Sequence, residues 1–357
     1  MPKGHIQTSA LCSQERISGL LQKHKRHLGY ALFSLAAVLF LLTSPFTKAA
    51  TISWDAGGDD DNWNNCDNWV GNACPSTNDI AQFDSTTSTN AIINQSISVG
   101  GIYITSDYTG TITQAGTSSI TVGSSHYTQA GGSFVGSSSS ITINGNFVLS
   151  GGDYKATIGI WKIFYNFNYL GGTLDANEAT LTFYGDLEQY DSTMSCPGAF
   201  SGGTVDIAKT HYAANFTLES GCDVALAPNI NNHGPITING TASGTNMDLK
   251  TNLTVGAAGE LTLSGTLTFY GDQSQYDSTM TCSGIFSGGT VDIAKTYYLA
   301  DFLLESGCDV ALAPNINNDG PITINGTASG TNMDLKTNLT VGAAGELTLS
   351  GTLTFYG

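Results

Sequence analysis

From residue 51 onward, apolar side chains recur in pairs two positions apart, with Thr, Ser, Asn and Asp filling the intervals. In 186–271 the pairs are Val205/Ile207, Phe216/Leu218, Val224/Leu226, Ile236/Ile238, Leu253/Val255, Leu261/Leu263 and Leu267/Phe269. A period of two puts successive side chains on opposite faces, so each pair predicts a short, half-buried strand. Gly221, Asn231-Asn232, Asn239-Gly240, Ser243-Gly244, Gly256 and Gly265 punctuate the pairs and are expected at turns, because these residue types tolerate turn geometries. No stretch beyond residue 50 carries a helical period. The predicted fold class is all-β.

The pattern itself repeats. Phe183, Phe269 and Phe355 are 86 residues apart, and so are Gly185, Gly271 and Gly357. The block 186–271 returns as 272–357 with ten changes: Leu187→Gln273, Glu188→Ser274, Ser195→Thr281, Pro197→Ser283, Ala199→Ile285, His211→Tyr297, Ala213→Leu299, Asn215→Asp301, Thr217→Leu303 and His233→Asp319. Near-identity of this kind points to a recent tandem duplication. Thr354-Phe355-Tyr356-Gly357 falls where a third copy would begin, so a longer array is expected.

Seven predicted strands per 86 residues fit two architectures. One is a chain of Ig-like sandwiches, which use about seven strands per ~100 residues. The other is a β-solenoid with roughly four coils of ~20 residues per repeat. The solenoid is favoured. The repeats contain no Trp for a sandwich core, and no Pro/Gly-rich linker separates the copies. Residues 110–185 also read as single degenerate coils, as in Ile141-Thr-Ile-Asn-Gly-Asn-Phe-Val-Leu and Leu170-Gly-Gly-Thr-Leu-Asp.

The segments ITINGNFVLSGG, YLGGTLDANEATLTFYGD, FTLESGCDVALAPNI and NLTVGAAGELTLSGTLTFYG resemble the loosely repeating parallel β-helix regions of bacterial secreted and surface proteins, including autotransporter passengers and adhesin-like proteins. Trp54-Asp55-x-Gly57-Gly58, Asn62-Trp63, Asn68-Trp69, Pro75 and Asp79-Ile80-Ala81-Gln82-Phe83 resemble the Trp-rich start found ahead of such β-helices. The resemblance spans residues ~51–357 and implies a right-handed parallel β-helix of pectin-lyase-like architecture. Adhesins, matrix proteins and carbohydrate-active enzymes all share it, so it carries no catalytic motif over to a residue here. The expected organisation is an export segment at 1–49, a Trp-rich cap at 50–109, degenerate coils at 110–185, and repeats at 186–271 and 272–357.

Charge is unevenly placed. Lys23-His24-Lys25-Arg26-His27 precedes fifteen mostly apolar residues, Leu28 to Leu42; Ser44-Pro45 breaks the run, and Thr47-Lys48-Ala49 offers a small-x-small cleavage site. This order predicts a secretory signal peptide with an extended basic region, cleaved near Ala49 or Ala50; an uncleaved anchor is the alternative. The apolar run is shorter than the ~20 residues of a membrane span. Residues 51–357 hold six Lys, no Arg and 28 acids, a net charge of −22. Such a surface repels nucleic acid phosphates and anionic lipid heads, so neither is an expected partner of the mature region. The expected location is extracellular or cell-surface.

Outside the export segment lie six cysteines, an even number that predicts disulfides in an exported chain. Local pairing gives Cys66–Cys74, Cys196–Cys222 and Cys282–Cys308; Cys222 with Cys282 is the main rival among fifteen connectivities.

Candidate chemistry is sparse. Asp55, Asp59, Asp60 and Asp61, with Asp67, supply hard oxygens for Ca²⁺, but their spacing fits neither an EF-hand nor a Gly-Gly-x-Gly-x-Asp repeat. The favoured reading is a solvated acidic turn beside Trp54 and Trp63, which in turn are read as a cap over the open end rather than sugar-stacking platforms. Asp186, Glu188 and Asp191 could supply a glycosidase carboxylate pair, yet Glu188 becomes Ser274 in the second copy. Lys209/Lys295 and Lys250/Lys336 are the only repeated bases for a lyase. Thr266/Thr268 and Thr352/Thr354 raise ice binding, although these doublets recur every 86 residues and not every coil. No cofactor is expected. The expected function is a structural or adhesive solenoid making many weak contacts with glycans, neighbouring cell surfaces or other copies of itself; a carbohydrate-active enzyme is the alternative.

Overall fold

In the computed structural model, residues 49–185, 191–200, 202–209, 214–270, 277–294 and 301–356 are described. The expected export segment therefore lies outside the described residues, apart from Ala49. Ala49–Gly357 forms one unit, a parallel β-solenoid. No described helix is long and apolar enough to cross a membrane.

Most coils contribute strands in a fixed order to three faces; the coil opening at Ser192–Ser195 reaches the second face only through a single bridge at Ala199, and the coil opening at Thr51–Ser53 adds a strand to the first face alone. The first face is one sheet of fourteen strands, from Thr51–Ser53 to Leu339–Val341, which defines thirteen turns. The second face runs from Ala91–Ile93 through Thr173–Asp175, and continues from Asp223–Ala225 to Glu346–Leu349. The third face runs from Ile97–Val99 through Thr204–Lys209, and continues from Asn229–Asn232 to Leu353–Phe355. All named strand pairs are parallel, with each coil in register with the next.

One repeat is four coils, opening on the first-face strands Ser192–Ser195, Phe216–Leu218, Ile236–Ile238 and Leu253–Val255 before Ser278–Cys282 starts the next set. It contains eleven strands between Ser192 and Phe269, not seven. The expectation of turns at Asn231-Asn232 and Ser243-Gly244 is corrected, because both dipeptides belong to strands, Asn229–Asn232 and Thr241–Gly244. Asn232 points inward and is fully buried, and its Nδ2 donates to the Gly234 carbonyl at 2.7 Å. Gly221, by contrast, is a turn residue with φ +99°.

The inward residues stack coil upon coil. Upstream, Tyr127, Phe147 and Phe167 lie in register and nearly parallel, at centroid distances of 5.2 and 4.9 Å. In the repeats the same column becomes aliphatic, with Met194, Leu218, Ile238 and Val255. Stacking is what buries it. Leu267 and Phe269 are buried under the following coil, whereas their equivalents Leu353 and Phe355 in the last described coil are 42 % and 56 % exposed. A coil of this kind cannot hide its own apolar face.

Side chains at the corner between the third and first faces tie the coils together. The Asn146 N–H donates to His126 Nδ1 (2.9 Å), the Asn166 N–H to Asn146 Oδ1 (3.1 Å), and the Thr193 N–H to Asn166 Oδ1 (3.0 Å). Each side chain thus satisfies a corner amide of the next coil that no ladder hydrogen bond reaches.

Candidate binding faces

At the N-terminal end, Trp54, Trp63 and Trp69 are all buried and pack on one another and on Phe83, with Trp54–Trp69 at 5.1 Å and Trp63–Trp69 at 4.7 Å. Trp69 Nε1 donates to the Trp63 carbonyl at 2.9 Å. Rings held this way cover the first coil and present no face to a sugar.

The acidic turn beside them is built around Asp60. Its carboxylate accepts from Asn62 Nδ2 (2.6 Å), the Asn62 N–H (3.1 Å), Asn65 Nδ2 (3.1 Å) and Asn68 Nδ2 (3.3 Å), which holds it below the usual carboxylate range. These amide donors occupy the lone pairs a cation would use. Asp55 Oδ1 accepts from the Gly57 N–H (3.1 Å), and Asp59 is exposed. Among the described residues no group of three or more His, Cys, Asp or Glu side chains converges to hold a metal ion.

Of the candidate catalytic carboxylates, Asp186 and Glu188 lie outside the described residues. Asp191 Oδ1 accepts from the Asn215 N–H at 2.8 Å, and its equivalent Asp277 accepts from the Asp301 N–H at 2.8 Å. That is the same coil-to-coil corner link seen upstream. Of the repeated lysines, Lys250 lies over the Tyr270 ring at 4.6 Å, and Lys336 pairs with Asp319 at 2.8 Å. Lys295 and the histidine His211 lie outside the described residues.

The cysteines join as Cys66–Cys74, Cys196–Cys222 and Cys282–Cys308. The two repeat disulfides clip adjacent coils at equivalent places, with Cα atoms 4.9 Å apart in each. Three disulfides fit an oxidising compartment.

The outward side chains form columns that sequence spacing hides. On the third face the Thr266/Thr268 doublet is one rung of a ladder. Asn229 pairs with Asn246, and Thr266 with Thr290; Asn231 pairs with Asp248, Thr268 follows, and Asp292 comes next. Asn246 Nδ2 donates to Asn229 Oδ1 (3.2 Å), and Asn246 Oδ1 accepts from the Thr266 N–H (2.9 Å). This face is partly shaded. Thr268 is buried, and burial raises the carboxyls of Asp206 and Asp292 above their ordinary range.

The second face is more open. Asp223, Thr241, Glu260 and Ile285 form one outward column, beside Ala225, Ser243, Thr262 and Ser287. The second copy repeats them as Asp309, Thr327 and Glu346 beside Ala311, Ser329 and Thr348. Comparison of the chain with protein-family profiles, with curated proteins and with solved structures finds no match. The columns stand on their geometry alone. The sequence conceals them because the coils differ in length, so residues that are neighbours on the face are separated by unequal intervals along the chain.

Proposed function

We propose that the chain is a secreted or cell-surface structural and adhesive solenoid, of the autotransporter-passenger or adhesin-like kind. It would act by extension and by many weak, repeated contacts. The observation that supports this most is that the two repeats present equivalent outward columns in register. A catalytic centre needs particular residues held in one geometry; a ladder offers interchangeable rungs whose effects accumulate.

The test is deletion of Asp272–Gly357, then of Asp186–Gly357, scored for binding to cells and glycan arrays. Binding should weaken in steps as copies are lost. Complete loss on removing the second copy alone, or release of reducing sugar from polysaccharides by the purified protein, would overturn the reading.

A further inference from the structure

The second face of the repeats carries an acid at every second coil. Asp223 and then Thr241 and Glu260 of the first copy lead in strict register to Ile285 of the second; there Asp309 is followed by Thr327 and Glu346. Ala199, the counterpart of Ile285, bridges in parallel to Asp223, and the strand of Ile285 likewise lies beside that of Asp309, so the column runs on from Glu260 through Ile285 to Asp309. Coils rise by ~4.8 Å, which spaces the carboxylates at about 9.6 Å. All four acids are exposed. The column beside them is short: Ala225, Ser243, Thr262 and Ser287, then Ala311, Ser329 and Thr348. The described lysines of the repeats, Lys209, Lys250 and Lys336, end or follow third-face strands, so the described bases of the repeats lie off this row.

Charge and period together restrict the occupant. The row is anionic, so the partner is cationic. Carboxylates two coils apart are too far apart to chelate one metal ion, so the positive charges must recur along a polymer. In an extended β-1,4-linked pyranose chain each ring advances the chain by about one coil, and successive rings turn over. A substituent on one edge therefore returns every second ring, as the acids return every second coil.

We infer that this face binds an extended β-1,4-linked polysaccharide bearing free amines, of the polyglucosamine class, through Asp223, Glu260, Asp309 and Glu346. One ammonium meets each carboxylate, the rings lie over the column of short side chains, and the exposed Ile285 meets a ring's C–H face. Each exposed ion pair is weak by itself, and affinity comes from their number. This ligand assignment rests on the adhesive reading above and narrows it.

The experiment measures binding of the full chain to soluble β-1,4-glucosamine oligomers and to fully N-acetylated oligomers of the same length. The variant D223N/E260Q/D309N/E346Q is compared with D206N/D248N/D292N/D334N, which removes the same number of acids from the third face. All the changes are near-isosteric, and thermal unfolding confirms that each variant is folded. The expected result is binding of the amine oligomer, loss of about tenfold or more in affinity in the second-face variant, an intermediate loss in D309N/E346Q, and little change in the third-face variant. Equal losses in both fourfold variants would mean attraction to net charge alone and would overturn the inference, as would equal binding of the N-acetylated oligomer. A chain that binds cells in copy-number steps but ignores the amine oligomer overturns this ligand and leaves the adhesive reading standing.

Discussion

Phe269 and Phe355 occupy the same place in two copies of one sequence, yet one is wholly buried and the other 56 % exposed. Phe269 sits between Leu249 and Ile293 in its column and meets the Phe302 ring at 5.0 Å. F269A should therefore cost about 3–5 kcal/mol in denaturant unfolding, whereas F355A should cost less than about 0.5 kcal/mol; equal costs would mean that stacking is not what buries this position. His233 tests the same correspondence electrostatically. Burial, followed by the Lys250 ammonium, holds its imidazole below the ordinary 6.5. Protonation therefore favours the unfolded chain, so this contribution is intact above pH 6.5 and is lost progressively as pH falls towards the depressed folded value. In the second copy Asp319 stands there and pairs with Lys336. H233D should flatten the acid side of the pH–stability curve and add up to about 1 kcal/mol, the worth of a partly exposed pair. The apolar pairs were legible at this scale because they alternate. Asn232 was not, since an inward amide bonded to a nearby carbonyl has the sequence signature of a turn.

Among the elements, the disulfides show how adjacent coils are held. Cys196 directly follows one first-face strand, and Cys222 directly precedes the second-face strand of the next coil. Closing a loop of this length restricts the unfolded chain by roughly 3–4 kcal/mol on the chain-entropy estimate. C196S/C222S should lose about that much, and C282S/C308S a similar amount. Non-reducing peptide mapping should recover each pair within its own repeat, and a Cys222–Cys282 peptide would contradict the structure. Spacing made this pairing readable. It could not reveal four of the eleven strands, because Ser192–Ser195, Asn229–Asn232, Thr241–Gly244 and Asn246–Leu249 turn Ser192, Asn232, Ala242, Gly244 or Met247 inward instead of a branched apolar pair. The acidic second-face column was hidden for a related reason. It exists only once the register is known.

For the whole unit, the lack of Trp in the repeats, the absence of a linker and the single degenerate coils of 110–185 were enough to favour coils over sandwiches, and Phe269 pairs in parallel register with Ile293 of the next copy. The faces available to a partner, by contrast, depend on where coils of unequal length bring their outward residues. If the copies are interchangeable lengths of one solenoid, removing one should change length and nothing else. The decisive measurement is small-angle scattering from the folded chain with and without Asp272–Gly357. Four coils at ~4.8 Å each should shorten the longest dimension by about 19 Å and leave the cross-section unchanged. A profile of separate globular beads, or a changed cross-section, would contradict the stacked solenoid and the graded binding built on it.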